Sequence, residues 1–234
     1  MITFNSENKQ KKAIIEAYED KKTVETFDFE RSLYAYQRFK HKKESQVLKN
    51  AIKSINEDKV KVLDVACGTG RMIPPAHSCG KLVDYYGIDT SQTMLDSINE
   101  WFHTPSKIIK GDATKLPFED NSFDVVFTFH LLWHLPPEVQ AEVLDEMERV
   151  CKPGGVIVFD VINDNFWFGK KTEGIYKWKH WKFMWGRNSK IDKLNDFPVK
   201  SSLLYGLLNI VNYIEKVLPA NLFHMLYFTK RIKN

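Results

Sequence analysis

The sequence predicts an α/β fold built on a mostly parallel central sheet with helices on its faces. From residue 60 onward, short runs of β-branched and aromatic residues alternate with segments whose apolar residues recur at helical spacing. Such alternation is typical of parallel strands joined by helical crossovers. The predicted strands are 60–66, 82–88, 107–110, 123–129 and 155–161.

Two of the connecting segments carry clear helix signals. After the second strand, Thr90 or Ser91 can cap a helix. The apolar face of that helix is formed by Met94, Leu95, Ile98 and Phe102. After the fourth strand, Pro136 and Pro137 open an amphipathic helix that the sequence Pro153-Gly154-Gly155 is predicted to end. Right-handed crossovers then leave the carboxyl ends of the strands on one edge, where open α/β sheets bind their ligands.

Composition indicates one embellished globular domain. Hydrophobic residues make up 43% and charged residues 27% of the 234 residues, as in ordinary globular proteins. We divide the chain into an N-terminal helical cap at 1–59, a ligand-binding core at 60–162, and a variable aromatic and basic region at 163–234 that completes the same domain.

The cysteines and the apolar segments indicate a cytoplasmic protein. Cys67, Cys79 and Cys151 form no Cys-x-x-Cys pair and have no histidine at metal spacing, so we expect reduced thiols and no metal site. The N-terminus is polar and basic without an apolar run behind it, which disfavours a secretory signal. Glu215 and Lys216 interrupt the longest apolar stretch, so no spanning helix is expected.

A glycine-rich turn and two strand-terminal acids predict a nucleotide site. The strand 60–66 runs into Gly68-Thr69-Gly70, where missing side chains let a ligand approach the backbone. Asp89 ends the second strand, where a carboxylate can accept ribose hydroxyls. A dinucleotide motif would have Gly or Ala at the position of Ile73, so a nicotinamide cofactor is disfavoured.

Four sequence blocks, which follow one another in a characteristic order, resemble those of a known family. They are VLDVACGTGR at 62–71, YGID at 86–89, GDATKLPFEDNSFDVVF at 111–127 and RVCKPGGVIVFDV at 149–161. With them, residues 60–162 resemble the class I S-adenosylmethionine-dependent methyltransferases, most closely the group with the ubiquinone and menaquinone biosynthesis enzymes. The resemblance implies a Rossmann-like core that binds S-adenosyl-L-methionine and releases S-adenosyl-L-homocysteine.

The resemblance also implies roles for individual residues. Asp64 would order the glycine loop, Asp89 would hold the ribose, and Asp112 would accept from the adenine amine. Phe129 and His130 would approach the sulfonium. The full set of expected cofactor-binding residues is Asp64, Ala66, Cys67, Gly68, Gly70, Asp89, Thr90, Met94, Asp112, Ala113, Leu116, Phe129 and His130.

Two histidines are candidates for proton transfer. A sulfonium methyl is already activated, so orientation alone can supply much of the rate, and a base helps only an acceptor that loses a proton. His130 and His134 follow the fourth strand, whose end faces the substrate side. Local packing or hydrogen bonding is the alternative role for both.

The C-terminal region departs from the family pattern. Residues 166–185 hold four of the six tryptophans, interleaved with lysines, and 163–234 carries 13 basic against 5 acidic residues. A packed insert, a lid over an apolar substrate and a membrane-surface element all remain open, whereas nucleic acid is disfavoured. A last strand is predicted at 222–229.

The sequence therefore predicts methyl transfer to an O, N or C atom of a small or lipid-like acceptor, which it does not identify. Peripheral membrane contact is an open expectation, and the oligomeric state is unspecified. The alternatives are a different Rossmann protein, such as an NAD-dependent oxidoreductase, and a non-catalytic subunit that binds the same cofactor.

Overall fold

The computed structural model describes residues 18–22, 24, 26, 35–98, 106–162, 183–189 and 223–232. Its helices are α1 (Ala35–Lys53), α2 (Ile73–His77), α3 (Gln92–Asp96) and α4 (Pro137–Val150), with a 3₁₀ turn at Leu132–His134. The strands are β1 (Lys59–Val65), β2 (Leu82–Asp89), β3 (Ser106–Lys110), β4 (Phe123–Thr128), β5 (Cys151–Ile162), β6 (Phe183–Ser189) and β7 (Phe223–Arg231).

The strands form one sheet in the order β3-β2-β1-β4-β5-β7-β6. The pairs among β1 to β5 are parallel, whereas β7 runs antiparallel to β5 and β6 antiparallel to β7. The chain order reverses beside β1, which lies between β2 and β4. Ligands of open α/β sheets bind outside the carboxyl ends of the strands at such a reversal. This edge is therefore where a ligand site is expected.

Each face of the sheet carries its own apolar core because successive strand residues point to opposite faces. On one face Val62, Val125 and Val158 pack with α1, through residues such as Leu48 and Ile52. On the other face the intervening strand residues, including Leu63 and Val126, pack with Leu144 and Met147 of α4. Helices therefore cover both faces, as the alternating pattern predicted.

The five predicted parallel strands are confirmed, with differences at their ends. The largest difference is at β5, which begins at Cys151 rather than at residue 155. Cys151 already pairs with Phe123, and the register shifts before Val125 pairs with Val156. The prediction that Pro153-Gly154-Gly155 ends the preceding helix was therefore wrong: the helix ends at Val150, and these residues form an irregularity inside the strand.

The helix signals are confirmed where the structure describes them. Ser91 is the N-cap of α3, and its hydroxyl accepts from the backbone N–H of Met94. Pro137 is the first residue of α4, where its missing N–H leaves no helical hydrogen bond unmade. The predicted extent of α3 was too long: the helix ends at Asp96, so it contains Met94 and Leu95, Ile98 lies in the turn after it, and Phe102 lies outside the described residues.

The C-terminal region adds two strands to the sheet, of which the sequence predicted one. The predicted strand 222–229 is present as β7. The strand β6 includes residues 183–185 and was not predicted, because its sequence FMWGRNS lacks an alternating apolar pattern. The remainder of the aromatic segment, 166–182, lies outside the described residues. Within the part of the chain that the structure describes, no helix has the length and apolarity needed to cross a bilayer.

Candidate cofactor and acceptor site

The glycine loop after β1 is held in a left-handed backbone conformation. The φ angles are 62° at Ala66, 54° at Gly68 and 74° at Gly70. A Cβ on Gly70 would lie 2.8 Å from Ile73 Cδ1, so this position requires glycine for packing as well as for φ. A Cβ on Gly68 would meet no heavy atom within 4 Å, so the backbone of Gly68 borders open space.

Asp89, at the end of β2, ties this loop to the sheet. One carboxylate oxygen, Oδ2, accepts from the backbone N–H of Gly68 at 2.8 Å, and Oδ1 accepts from the N–H of Ser91 at 3.0 Å. Burial raises the pKa of Asp89, and the bonds from backbone N–H groups oppose that rise. Each carboxylate oxygen can accept further bonds, so Asp89 can shape the loop and still receive ligand hydroxyls.

Asp64 is buried near the end of β1, and its carboxylate accepts from the hydroxyl of Tyr85 at 2.5 Å. Burial raises the pKa of Asp64 to about 7, against the opposing effects of the Tyr85 hydrogen bond and of Arg71. Its expected role in ordering the glycine loop through water stays a prediction, since Tyr85 is the partner the structure gives to its side chain.

The raised pKa of Asp64 has a measurable consequence for stability. Folding favours the protonated carboxyl because the folded pKa of about 7 exceeds the ordinary 3.8. This contribution is fully present below the ordinary pKa and is lost as the pH rises toward 7. We therefore expect the unliganded wild type to lose stability relative to Asp64→Asn between about pH 4 and pH 7, as measured by thermal midpoints. Asp58→Asn replaces an exposed carboxylate and serves as the matched control. A difference between the wild type and Asp64→Asn that stays constant over this range would contradict the expectation.

The loop after β3 forms the next wall of the site. Asp112 Oδ1 accepts from the N–H of Thr114 at 2.9 Å and from its hydroxyl at 2.8 Å, so the carboxylate organises its own turn. The N–H of Leu116 donates to Glu146 of α4 at 2.7 Å, and Arg149 donates to the Leu116 carbonyl. The helix α4 thereby holds the loop that presents Asp112.

At the end of β4, His130 is held by two acidic residues. Its backbone has φ 68°, and its N–H donates to Asp160 Oδ1 of β5 at 2.8 Å. Its ring Nε2 lies 2.5 Å from Glu44 Oε1 of α1. The second oxygen of Glu44 accepts from Arg71, at 2.5 Å, and Arg71 directly follows the glycine loop. These contacts make His130 the junction of three segments that are distant in sequence.

Burial keeps the imidazole of His130 neutral. Burial lowers its pKa well below the ordinary value, Glu44 opposes that effect, and Lys40 and Arg71 reinforce it. Burial alone would raise the pKa of Glu44, but Arg71, His130 and Lys40 outweigh burial and hold it well below its usual range. Burial also raises the pKa of Asp160 to about 7. Near neutral pH the arrangement is therefore a neutral imidazole bonded to a carboxylate.

These groups border one cavity of about 310 Å³, a volume at the lower end of small-molecule sites. The sequence-predicted residues that line it are Asp64, Ala66, Cys67, Gly68, Asp89, Thr90, Met94, Asp112, Ala113, Phe129, His130 and His134. Two predicted residues do not line it. Gly70 is packed against Ile73 and Ile98, and Leu116 is buried in the core beside α4.

Aromatic rings and a lysine form a second wall of the cavity. The Trp133 ring lies 5.0 Å from the His130 ring and 5.8 Å from the His134 ring, centroid to centroid. The Tyr18 ring meets His134 edge-on at 6.5 Å. The ammonium of Lys40 lies 4.5 Å from the centre of the Trp133 ring. This wall can hold a planar apolar group beside a buried positive charge.

The N-terminal segment 18–22 closes the cavity near α3. The hydroxyl of Ser91 donates to the Tyr18 carbonyl at 2.7 Å, and the Glu19 carboxylate accepts from the hydroxyl of Thr93 at 2.8 Å. That hydrogen bond is the first cause of the lowered pKa of Glu19. Residues far from the core in sequence therefore complete the site.

Sequence reasoning missed four of the residues that surround His130: Lys40, Glu44, Arg71 and Asp160. A signal existed in the N-terminal segment, where Lys40, Glu44, Leu48 and Ile52 recur every four residues and so share one helix face. Charged residues on an otherwise apolar helix face are expected to be buried and to pair with other groups there. The amino-acid sequence does not indicate which partners they meet.

Comparison with known proteins concerns mainly the core. Residues 63–159 match the sequence profile of a family described as a methyltransferase domain. The demethylmenaquinone methyltransferase of Staphylococcus aureus (strain MRSA252) is 43% identical over 102 residues, which are 42% of this chain and 42% of that enzyme. The match thus spans less than half the length of the curated relatives.

Two solved structures share the fold over a longer range. The YcgJ protein of Bacillus subtilis has a TM-score of 0.56 and 13% identity, covering 83% of this chain and 99% of that chain. The [4+2]-cyclase SpnF has a TM-score of 0.53 and 17% identity, covering 81% of this chain and 80% of that chain. At such identities the likeness concerns the fold alone.

Proposed function

We propose that residues 63–159, which match a methyltransferase domain, form a class I S-adenosylmethionine-dependent methyltransferase core, and that the chain transfers a methyl group from this cofactor to a ring-containing acceptor that carries an ionisable hydroxyl. The observation that carries the proposal is the single cavity in which Gly68, Asp89 and Asp112 adjoin His130. Gly68, Asp89 and Asp112 are residues expected to bind the cofactor, and His130 can take a proton from the acceptor.

The residues present fit the cofactor. Gly68 borders space that a Cβ would enter, which leaves a cradle for a ligand beside the loop backbone. Thr69 lines the same cavity, and its buried hydroxyl has no hydrogen-bond partner among the described residues. The carboxylate of Asp89 supplies negative charge beside a ligand that carries a sulfonium and an amino group.

Each part of the cofactor has proposed protein contacts. Asp89 would accept from the ribose hydroxyls, and Asp112 would accept from the adenine amine while the Ala113 N–H reaches a ring nitrogen. Thr90 and Met94 would pack against the base. When bound, S-adenosylmethionine supplies a methyl group already activated by its sulfonium. The protein must then hold the acceptor atom in line and remove its proton.

We assign proton removal to His130. Its imidazole is neutral because burial and the neighbouring cations lower its pKa, so it is in the base form near neutral pH. Glu44 balances the positive charge that the ring acquires with the proton. His134 lies on the cavity wall between Tyr18 and Trp133, where it can position the acceptor.

The wall beside His130 supports a planar, acidic acceptor. Trp133 and His134 offer ring surfaces, and the buried ammonium of Lys40 stabilises negative charge that develops when a hydroxyl is deprotonated. The name of the S. aureus relative gives demethylmenaquinone as its acceptor. We therefore propose a reduced quinone or a similar hydroxylated ring as the acceptor, with peripheral membrane contact as the route to a lipid-like one.

The surroundings of the thiols support a reducing compartment, which we propose to be the cytoplasm. Cys67, Cys79 and Cys151 are all buried and none forms a disulfide. Burial raises the pKa of Cys151 to about 12, which keeps its thiol protonated.

Two measurements on the full chain test the function. We expect S-adenosyl-L-homocysteine to bind in a calorimetric titration, and we expect label from methyl-labelled S-adenosylmethionine to appear in demethylmenaquinone that has been reduced to its quinol. NAD serves as the control ligand and should not bind.

The two measurements separate binding from turnover. Failure to bind S-adenosyl-L-homocysteine would contradict the cofactor assignment. Binding without label in the quinol or in other hydroxylated rings would contradict the proposed acceptor and favour a non-catalytic cofactor-binding subunit.

A further inference from the structure

We propose that Glu44 is a positioning residue that sets the tautomer of His130, and that Arg71 holds Glu44 in the orientation this requires. The proposal rests on the proposed function, in which His130 removes a proton. Glu44 belongs to α1 and so lies outside residues 63–159, which match the methyltransferase profile. A residue of the N-terminal cap thus completes the chemistry of the core.

The contacts of Glu44 determine where the proton of the ring resides. A carboxylate only accepts hydrogen bonds, so an imidazole nitrogen 2.5 Å from Glu44 Oε1 must donate. The neutral ring of His130 therefore carries its proton on Nε2 and its basic lone pair on Nδ1. Arg71 donates to the other oxygen of Glu44, so both carboxylate oxygens have assigned donors.

The backbone of His130 is constrained as strictly as its ring. A histidine at φ 68° lies in a region that non-glycine residues seldom adopt. Asp160 holds this conformation by accepting the His130 N–H at 2.8 Å from the adjacent strand β5. Such conformations persist only where the surroundings enforce them, and they cluster at functional sites. Two carboxylates thus define the backbone and the ring of one residue.

The charges facing His130 come from three elements. Glu44 and Lys40 belong to α1, Arg71 follows the glycine loop, and Asp160 belongs to β5. The side chain of Glu44 is 1% exposed and that of Arg71 is 17% exposed, so their pairing is largely shielded from water. A buried carboxylate without this guanidinium would be costly. Arg71 therefore links the loop expected to cradle the cofactor to the group that positions the base.

A metal ion explains this cluster less well. Ligand atoms of Glu44, His130 and Asp160 lie within 4.8 Å of one another, which is close enough to hold a cation. Arg71 already occupies the second oxygen of Glu44, however, and Lys40 adds a further positive charge nearby. Two cationic side chains repel a divalent ion and supply the charge that it would supply. We therefore assign the cluster to proton transfer.

Glu44→Gln tests the assignment because an amide has only one acceptor atom. Arg71 can only donate, so it takes the amide oxygen and leaves the NH₂ group facing His130 Nε2. The ring must then accept at Nε2 and carry its proton on Nδ1. We expect the ¹⁵N spectrum of histidine-labelled protein to report Nε2–H for His130 in the wild type and Nδ1–H in Glu44→Gln, with His130→Gln identifying the signals.

Glu44→Gln should also lose activity, whereas the conservative change Glu44→Asp should keep the wild-type tautomer. With the basic lone pair turned away, methyl transfer from S-adenosylmethionine to reduced demethylmenaquinone should fall about 100- to 10,000-fold, the range for loss of a general base. Glu44→Asp keeps two acceptor oxygens, so it should retain the Nε2–H form. Glu57→Gln neutralises an exposed carboxylate and serves as the matched control.

The spectrum decides the proposal without any acceptor. An Nε2–H ring in folded Glu44→Gln, or an Nδ1–H ring in the wild type, would overturn it. Should Glu44→Gln fail to fold, an Nδ1–H ring in Glu44→Asp would overturn it and an Nε2–H ring would support it.

Two further outcomes concern the function and the metal. Absence of methyl transfer by the wild type, with the tautomers as expected, would contradict the proposed function and leave the positioning role standing. A His130 signal that shifts on addition of zinc alone would favour the metal site and overturn the assignment.

Discussion

His130→Ala is expected to lower methyl transfer by about 100- to 10,000-fold, the usual range for a general acid or base. The effect should fall on the rate constant rather than on cofactor affinity, because the proposed contacts of the adenosyl group lie at Asp89 and Asp112. Titration of His130 itself should not change the wild-type rate through the neutral range, since burial lowers the pKa of His130 well below its ordinary value. Initial rates at saturating S-adenosylmethionine, with reduced demethylmenaquinone as acceptor, measure both effects.

His134→Ala is the matched control for this prediction. His134 lines the same cavity and lies four residues away in the 3₁₀ turn, but its ring packs against Tyr18 and Trp133. We expect the control to raise KM for the acceptor and to change kcat far less than His130→Ala. A larger loss of kcat in His134→Ala would transfer the role of base to that residue.

Asp89→Ala is expected to weaken S-adenosyl-L-homocysteine binding by about 1.5–3 kcal/mol for each charge-assisted hydrogen bond that is lost. This corresponds to a loss of affinity of about 10- to 150-fold per bond. The reason is that the carboxylate is expected to accept both ribose hydroxyls, whereas alanine accepts neither. Calorimetric titration of the variant and the wild type gives the difference directly.

This prediction needs a control variant because Asp89 also has structural contacts. Asp89 also accepts from Gly68 and Ser91, so its removal loosens the glycine loop in the absence of ligand. Ser91→Ala removes the cap of α3 and the bond to Tyr18 without touching the proposed ribose contact. An affinity loss in Asp89→Ala no larger than in Ser91→Ala would mean that Asp89 acts only on the loop.

The core was predictable because its signals are local. Strands β1, β2 and β4 are short apolar runs, and Ser91 and Pro137 mark helix starts by chemistry within a few residues. The order of the blocks from 62 to 161 then indicated where strand ends would meet, since parallel strands present their carboxyl ends on one edge. Most of the expected cofactor residues line the cavity for that reason.

Errors arose where backbone pairing overrides local preference. Pro153, Gly154 and Gly155 usually end regular structure, yet β5 begins before them because Cys151 pairs with Phe123. The strand β6 has no alternating pattern, and its place follows from pairing with β7. In both cases the hydrogen bonds of a neighbouring strand compensate for weak local propensity.

By itself, the sequence determined the α/β class, the glycine loop and the strand-terminal acids, because each depends on residues close together in the chain. Only the tertiary structure decided that Glu44 of α1, Arg71 after the loop and Asp160 of β5 converge on His130. Side chains 30 to 86 residues from His130 meet it there. Their pairing follows from burial, because charges removed from water must find partners wherever the packing of α1 against the sheet brings them together.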